Sequence, residues 1–122
     1  MSKITVRSPQ EGIPIDNGRM REIARAVLEG EGVKDYEVSL AFVDNVTIHR
    51  LNKQYLDHDE PTDVLTFTYS AANAKKLEGE LVLGAEVAKE QAAERGHEVQ
   101  AELALYVIHG LLHLCGDRKS VV

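Results

Sequence analysis

Helical and extended periods alternate along the first part of the chain. Residues 4–6 form a short apolar stretch that predicts a strand. Beyond Asp16, apolar residues recur every three or four positions, which predicts a helix capped by Asp16 and ended by Gly30 and Gly32. Residues 36–42 then alternate apolar and polar side chains with a period of two, as a half-buried strand does.

The second part of the chain continues this alternation and ends on helices. Asp44 is placed to cap a second amphipathic helix, and the β-branched and aromatic run at residues 63–69 predicts another strand. A short strand at 81–83 and a helix at 85–95 follow. Residues 98–115 are apolar on nearly every side, which predicts a helix buried in the core. The order βαβαββαα therefore predicts an α+β fold in which helices pack on a small mixed sheet of about four strands.

Composition narrows the classes of function. With 122 residues, the chain suits one domain spanning residues 1–122. It has no apolar run of the roughly 18 residues that a membrane span requires, and its first residues lack a signal-peptide core. The lone Cys115 fits a reducing compartment, so we expect a cytoplasmic protein. A net charge of −6, with only four tyrosines and two phenylalanines, argues against binding nucleic acid by bulk charge or base stacking.

Two histidines on the last predicted helix carry the clearest chemical signal. His109 and His113 are four residues apart, so they lie on one helix face, one turn apart. Two imidazoles in that relation can bind one metal ion, and a metal would also satisfy histidines buried in a core helix. The spacing alone supports equally well two polar core residues that are hydrogen-bonded to backbone or water.

The residues around this pair bear on the kind of metal site. Gly116 follows His113 by three residues, as in the opening of the metzincin pattern, in which the glycine turns the chain toward a third histidine. Lys119 stands at that third position, and Gly110 stands where a metallopeptidase has its general-base glutamate. Both residues count against a peptidase.

Three segments and a weaker fourth together resemble one known family. Residues 109–116 read HGLLHLCG, residues 51–55 read LNKQY, and residues 59–67 read DEPTDVLTF. The weaker segment, LEGELVL, covers residues 77–83. In order and spacing these segments are similar to the signature of the YbeY family, the endoribonucleases that mature ribosomal RNA.

The resemblance implies a metal-dependent, single-strand-specific endoribonuclease that acts in 16S ribosomal RNA 3′-end maturation and ribosome quality control. It implies zinc, about one ion per chain, with His109 and His113 as two of three protein ligands. Thr62 and Asp63, at the start of the predicted strand, become the expected substrate-binding residues, while no residue is assigned as general base. The implied partner is ribosomal RNA or the ribosome, with no role for DNA or a membrane.

The sequence departs from the family pattern at its phosphate contact and at its C-terminal end. Leu56 replaces the arginine that usually follows the LNxxY segment, which removes a natural phosphate clamp. Lys119 stands where the third histidine is expected, and Asp117 is a possible substitute ligand. We therefore hypothesise that the C-terminal end is truncated or altered. The alternative functions are a catalytically degenerate, ribosome- or RNA-associated module and, disfavoured by Gly110, a metal-dependent peptidase.

The other candidate ligands have simpler predicted roles. His49, His58 and His97 follow no ligand spacing, so we expect them at the surface. Cys115 is two residues from His113 and therefore points to another side of the helix, where we expect a buried small residue rather than a metal ligand.

Overall fold

The computed structural model describes residues 2–119, with side chains described as far as Gly116. Its eight elements follow the predicted order. The strands are β1 (Lys3–Arg7), β2 (Tyr36–Val43), β3 (Val64–Thr68) and β4 (Leu77–Gly84). The helices are α1 (Asn17–Gly30), α2 (Asn45–Leu56), α3 (Ala85–Arg95) and α4 (Val99–Lys119).

The four strands form one mixed sheet in the order β1-β2-β4-β3, which confirms the predicted α+β fold. β1 pairs with β2 and β2 with β4 in parallel, whereas β3 runs antiparallel to β4. β3 is therefore an edge strand, reached from α2 through a polar turn. Edge strands leave one side of their backbone unpaired in the sheet, so β3 borders open space that other groups can occupy.

Local capping explains where the helices begin and end. The Asp16 carboxylate accepts a hydrogen bond from the backbone N–H of Arg19 at 3.1 Å. Asp44 accepts in the same way from the Thr47 N–H at 2.8 Å, and hydrogen bonding by the Thr47 side chain and then by its backbone lowers the pKa of Asp44. Gly96 ends α3 in the left-handed conformation. Each of these three residues satisfies backbone groups that a helix terminus leaves without partners, as the sequence predicts.

The sheet packs on both faces. α1, α3 and α4 cover one face and share the main core with the alternating side chains Val38, Leu40 and Phe42 of β2. α2 covers part of the other face through Ile48, against a smaller cluster that includes Val82. The C-terminal half of β2 is consequently buried on both sides, so the prediction of a half-buried strand is correct only for its first residues.

α4 packs its length against the sheet, α1 and α3, but one stripe of the helix faces solvent. By length and composition residues 99–116 of α4 could cross a membrane, contrary to the expectation that the chain has no such run. The same apolar character is that of a core helix, which is how α4 packs. Leu105 is 36% exposed, Leu112 is 43% exposed, and both His109 and His113 are exposed. The prediction of a helix buried on every side is therefore wrong, because neither sheet nor helices cover this stripe.

Candidate functional site

The histidine pair lies in an open groove of about 380 Å³ between α4 and the edge strand β3. The groove is lined on one side by α4, on the other by the first residues of β3, and at its end by the last residue of α2. Its lining residues are Leu56, Asp63, Val64, Leu65, Thr66, His109, Gly110 and His113. The segment at 51–55 ends one residue before Leu56, and the segment at 59–67 includes lining residues 63–66. Both segments thus meet the HGLLH segment at this groove.

Two close contacts set the distance between α4 and the sheet. Gly110 faces β4 and β3, and a Cβ added there would lie 2.5 Å from Leu81 Cδ2 and 3.1 Å from Val64 Cγ1. On β4, a Cβ at Gly79 would lie 2.7 Å from Leu114 Cδ1. Only glycine allows the helix to approach this closely without displacing buried side chains. A glutamate at position 110 would have to displace the buried Leu81 side chain, which counts further against the peptidase arrangement.

Asp63 lines the groove immediately before β3, and hydrogen bonds to neighbouring residues hold it in place. Its carboxylate Oδ1 accepts hydrogen bonds from the Val64 N–H at 2.8 Å and from the Thr62 hydroxyl at 3.3 Å. Its carbonyl accepts from the Gly84 N–H at 2.8 Å. A Cβ at Gly84 would lie 2.7 Å from the Thr62 carbonyl, so this glycine is required for the close approach. Asp63 therefore enters the groove in a fixed orientation.

Thr62 stands beside the groove rather than in its lining, and it reaches the site through its bond to Asp63. Leu56 lines the groove and is 54% exposed, so the position at which the resemblance leads us to expect arginine is open to solvent. Asn52 is a residue that sequence reasoning missed. It is 2% exposed, and its side-chain amide donates to the Glu60 carbonyl at 2.8 Å, which holds the turn between α2 and β3.

The donors present fit a transition-metal site in part. His109 and His113 are exposed to the groove from adjacent turns of one helix, and imidazole nitrogen is a preferred zinc donor. The prediction that these histidines are buried is wrong, because the groove beside an edge strand opens their side of α4. Among the side chains described, which end at Gly116, three histidine, cysteine or acidic groups nowhere converge as a metal site would require.

The two positions at which a third ligand is expected, 117 and 119, lie beyond the described side chains. α4 continues as helix through Gly116 to Lys119, so the chain does not turn at Gly116 as the metzincin comparison suggests. The side chains of Asp117 and Lys119 lie outside the described residues, and the hypothesis of an altered or truncated C-terminal end stays a prediction. Cys115 is 0% exposed, as expected, and packs in the core.

Of the three remaining histidines, His58 is exposed, as expected, and the other two belong to clusters outside the groove. His49 Nε2 lies 2.7 Å from Asp59 Oδ1 on the exposed acidic turn, and this hydrogen bond lowers the pKa of Asp59. His97 lies at the surface, as expected, but it also bonds to Glu102, a fully buried acid that sequence reasoning missed. An isolated acid inside an apolar helix is the only signal that marked Glu102.

Comparisons with known proteins agree with this geometry. The family model described as Endoribonuclease YbeY matches residues 5–117. An Endoribonuclease YbeY from Pelotomaculum thermopropionicum is 37% identical over 123 residues, covering 93% of this chain and 81% of that protein. One from Salinibacter ruber is 38% identical over 109 residues, covering 84% and 69%.

A solved structure gives the same result for the fold. The solution structure of a Thermotoga maritima protein, TM1509, superimposes with a TM-score of 0.66 at 29% sequence identity. The match covers 93% of this chain and 73% of that protein. The similarity therefore extends over nearly the whole of this chain.

Proposed function

This chain belongs to the YbeY family of endoribonucleases, and on that premise we propose that the groove between α4 and β3 is where it hydrolyses single-stranded ribosomal RNA. The proposed role is in 16S ribosomal RNA 3′-end maturation and ribosome quality control. The lone, buried Cys115 is compatible with a reducing compartment, so we place the activity in the cytoplasm.

The placement of the histidine pair carries this proposal. His109 and His113 are exposed from one face of α4 to a groove whose opposite wall begins with Asp63. Exposed imidazoles on a well-packed helix are held in place by the backbone, and their side chains meet solvent and ligand rather than core. The groove is open along β3, so a single RNA strand can lie in it without a deep pocket.

We propose zinc as the cofactor, since imidazole nitrogen is among its preferred donors. His109 and His113 would hold it, with a third ligand still to be identified. When bound, zinc supplies a Lewis acid that polarises a phosphoryl oxygen and lowers the pKa of water. The chain's own part is to fix the two imidazoles through the glycine contact of α4 with the sheet and to keep the phosphodiester beside them.

Asp63 and Thr62 would bind the RNA next to the scissile bond. The Asp63 carboxylate is fixed by its bonds to Val64 and Thr62, so it is oriented to accept a hydrogen bond from a ribose hydroxyl or a base amino group. Leu56 offers no cation to the phosphate at the end of the groove. We therefore propose that this chain holds RNA with fewer phosphate contacts than relatives that carry arginine there.

Metal content and RNA cleavage together test the proposal. The purified protein is expected to contain about one zinc per chain and to cleave a single-stranded RNA but not casein. His113→Ala is expected to lose the metal and to lower cleavage by about 100-fold or more, since removing a ligand removes the Lewis acid. His58→Ala is the matched control, because His58 is also exposed but lies outside the groove.

Two outcomes would overturn the proposal. Absence of metal and of cleavage after zinc loading would favour the degenerate, RNA-associated module. Equal losses in His58→Ala and His113→Ala would show that the groove does not carry the reaction.

A further inference from the structure

The few aromatic residues of the chain are concentrated at a second groove. The chain has four tyrosines and two phenylalanines, and three of these six, Tyr55, Phe67 and Tyr69, line one groove of about 370 Å³. This groove lies on the face of the sheet that α2 covers in part, opposite the face on which α4 packs. Low aromatic content argued against base stacking, but the fold gathers half of that content at one place.

The aromatic rings are exposed and held in fixed positions. Tyr55 is 57% exposed, and its ring meets Phe67 edge to face, with centroids 5.4 Å apart and an interplanar angle of 78°. Tyr69 is 64% exposed, and its hydroxyl donates to Glu80 Oε1 at 3.1 Å. Exposed rings that are held by a neighbouring ring or by a hydrogen bond present apolar surface at little cost in conformational entropy.

The charge inside this groove is compensated. Glu80 is the acidic lining residue, and its other oxygen accepts a hydrogen bond from Arg7 at 3.1 Å. The Arg7 side chain is 60% exposed, so its guanidinium still faces solvent beside the rings. A cation next to exposed aromatic rings is the combination that binds unpaired bases together with their phosphates.

The two grooves meet at the C-terminal end of α2 and at β3. Tyr55 lines the aromatic groove while the next residue, Leu56, lines the histidine groove. On β3, Thr66 lines the histidine groove and Phe67 lines the aromatic groove, because successive strand residues point to opposite faces. A nucleic-acid strand lying across the β3 edge could therefore contact both grooves, because β3 is the last strand of the sheet in the part of the chain that the structure describes.

We propose that the aromatic groove binds an unpaired base of the RNA strand whose backbone lies in the histidine groove, with Tyr55 and Tyr69 as the stacking surfaces. This inference rests on the proposed function, since it takes RNA as the occupant. It explains how an acidic protein retains a single strand, because stacking does not depend on net charge. It also limits binding to single strands, since paired bases do not offer their faces.

Binding without cleavage tests this inference directly. The affinity of the full chain for a short fluorescein-labelled single-stranded RNA is measured by fluorescence anisotropy in EDTA. Tyr55→Ala and Tyr69→Ala are each expected to weaken binding about fivefold or more, the loss that accompanies removal of one stacked ring. Tyr55→Phe keeps the ring and is expected to bind as the wild type does, whereas Tyr69→Phe keeps the ring but loses the hydrogen bond to Glu80 and is expected to weaken binding less than Tyr69→Ala does. Val46→Ala is the control, since Val46 is an exposed apolar residue of α2 outside the groove.

The outcomes separate this inference from the proposed function. If the alanine variants bind RNA as tightly as the wild type while His113→Ala abolishes cleavage, the aromatic site is wrong and the nuclease groove stands. If the alanine variants lose binding although the wild type shows no cleavage, the aromatic site stands alone.

Equal weakening by the phenylalanine variants or by Val46→Ala would also overturn the inference, as would equal binding of duplex RNA. RNA binding that stays intact while a protein partner is lost would assign the groove to that partner.

Discussion

α4 carries two clusters of ionisable side chains that differ in almost every physical respect. Near its first turn, Glu102 is 0% exposed and is bonded to Arg95 at 2.8 Å and to His97 at 2.5 Å. Two turns further on, His109 and His113 are exposed to the groove beside β3. The first cluster ties the end of α3 to α4, whereas the second lies at the open groove in which we propose that RNA binds. Burial with close pairing suits a structural role, and exposure on a well-packed helix suits the ligand-binding role proposed for the histidines.

The pKa of Glu102 follows from its pairing. Burial raises the pKa of this carboxyl, but the hydrogen bond from His97, the nearby Tyr106 hydroxyl and the charge of Arg95 outweigh burial and lower it overall. Tyr106 is itself 4% exposed, and its hydroxyl lies near Glu102 without reaching ordinary hydrogen-bond geometry. Burial and the adjacent carboxylate raise the pKa of Tyr106 far above its ordinary range. Glu102 is therefore ionised in the folded protein, and Tyr106 is neutral.

Glu102→Gln should produce the largest effect, because it should lower stability while leaving cleavage nearly unchanged. The amide keeps the volume but loses the charge-assisted bonds to His97 and Arg95, so the free energy of unfolding in urea should fall by about 1–3 kcal/mol. Cleavage per folded molecule should stay within about twofold, since the two clusters share no bonded partner. His113→Ala should do the reverse: with both proteins unfolded in EDTA, so that bound metal adds to the stability of neither, its free energy of unfolding should fall by less than that of Glu102→Gln. A large loss of stability in His113→Ala would end the contrast between the clusters.

Acid should remove the contribution of Glu102 in a defined pH window. Its folded pKa is below the ordinary value of 4.5, so its stabilisation is complete above that pH and is lost as pH falls through the folded pKa. The difference in unfolding free energy between wild type and Glu102→Gln should therefore be constant just above pH 5 and shrink below 4.5. Urea titrations at stepped pH values measure it. A difference that grows in acid would show that the carboxyl is protonated in the fold.

Those elements that depend on local signals were predictable from the sequence. The bounds of α3 and the caps Asp16, Asp44 and Gly96 agree with the predictions, because a cap acts within one turn of its own helix. β4 extends over Leu77–Gly84 rather than residues 81–83, since its pairing with β2 and β3 adds residues that no local apolar run marks. Pairing between distant strands is a tertiary property, which local pattern does not contain.

The site was predictable in its residues but not in its exposure. The four-residue spacing correctly places His109 and His113 on one face of α4, and Asp63 lies in the same groove. Their burial was predicted from the apolar residues around them, and it is wrong because the edge of the sheet leaves that stripe of α4 uncovered. The pairing of the Glu102 carboxylate could not be predicted either, because His97 and Arg95 contact it from outside its own helix. Exposure and pairing both depend on which elements become neighbours.

Leu56→Arg should produce the smallest effect. It tests whether RNA occupies the histidine groove, on which the contrast between the two clusters depends. Leu56 is 54% exposed at the end of the histidine groove, so an arginine there needs no repacking and adds a cation beside the proposed RNA backbone. Binding to single-stranded RNA should tighten several-fold, and the slope of log affinity against log salt should steepen by about 0.7, the value for one added phosphate contact. The unfolding free energy should not change.

Lys53→Arg is the control for this prediction. It keeps the charge at an exposed position of α2 outside the groove lining, so it should leave the salt slope unaltered. An unchanged slope in Leu56→Arg would mean that the RNA backbone does not pass this end of the groove.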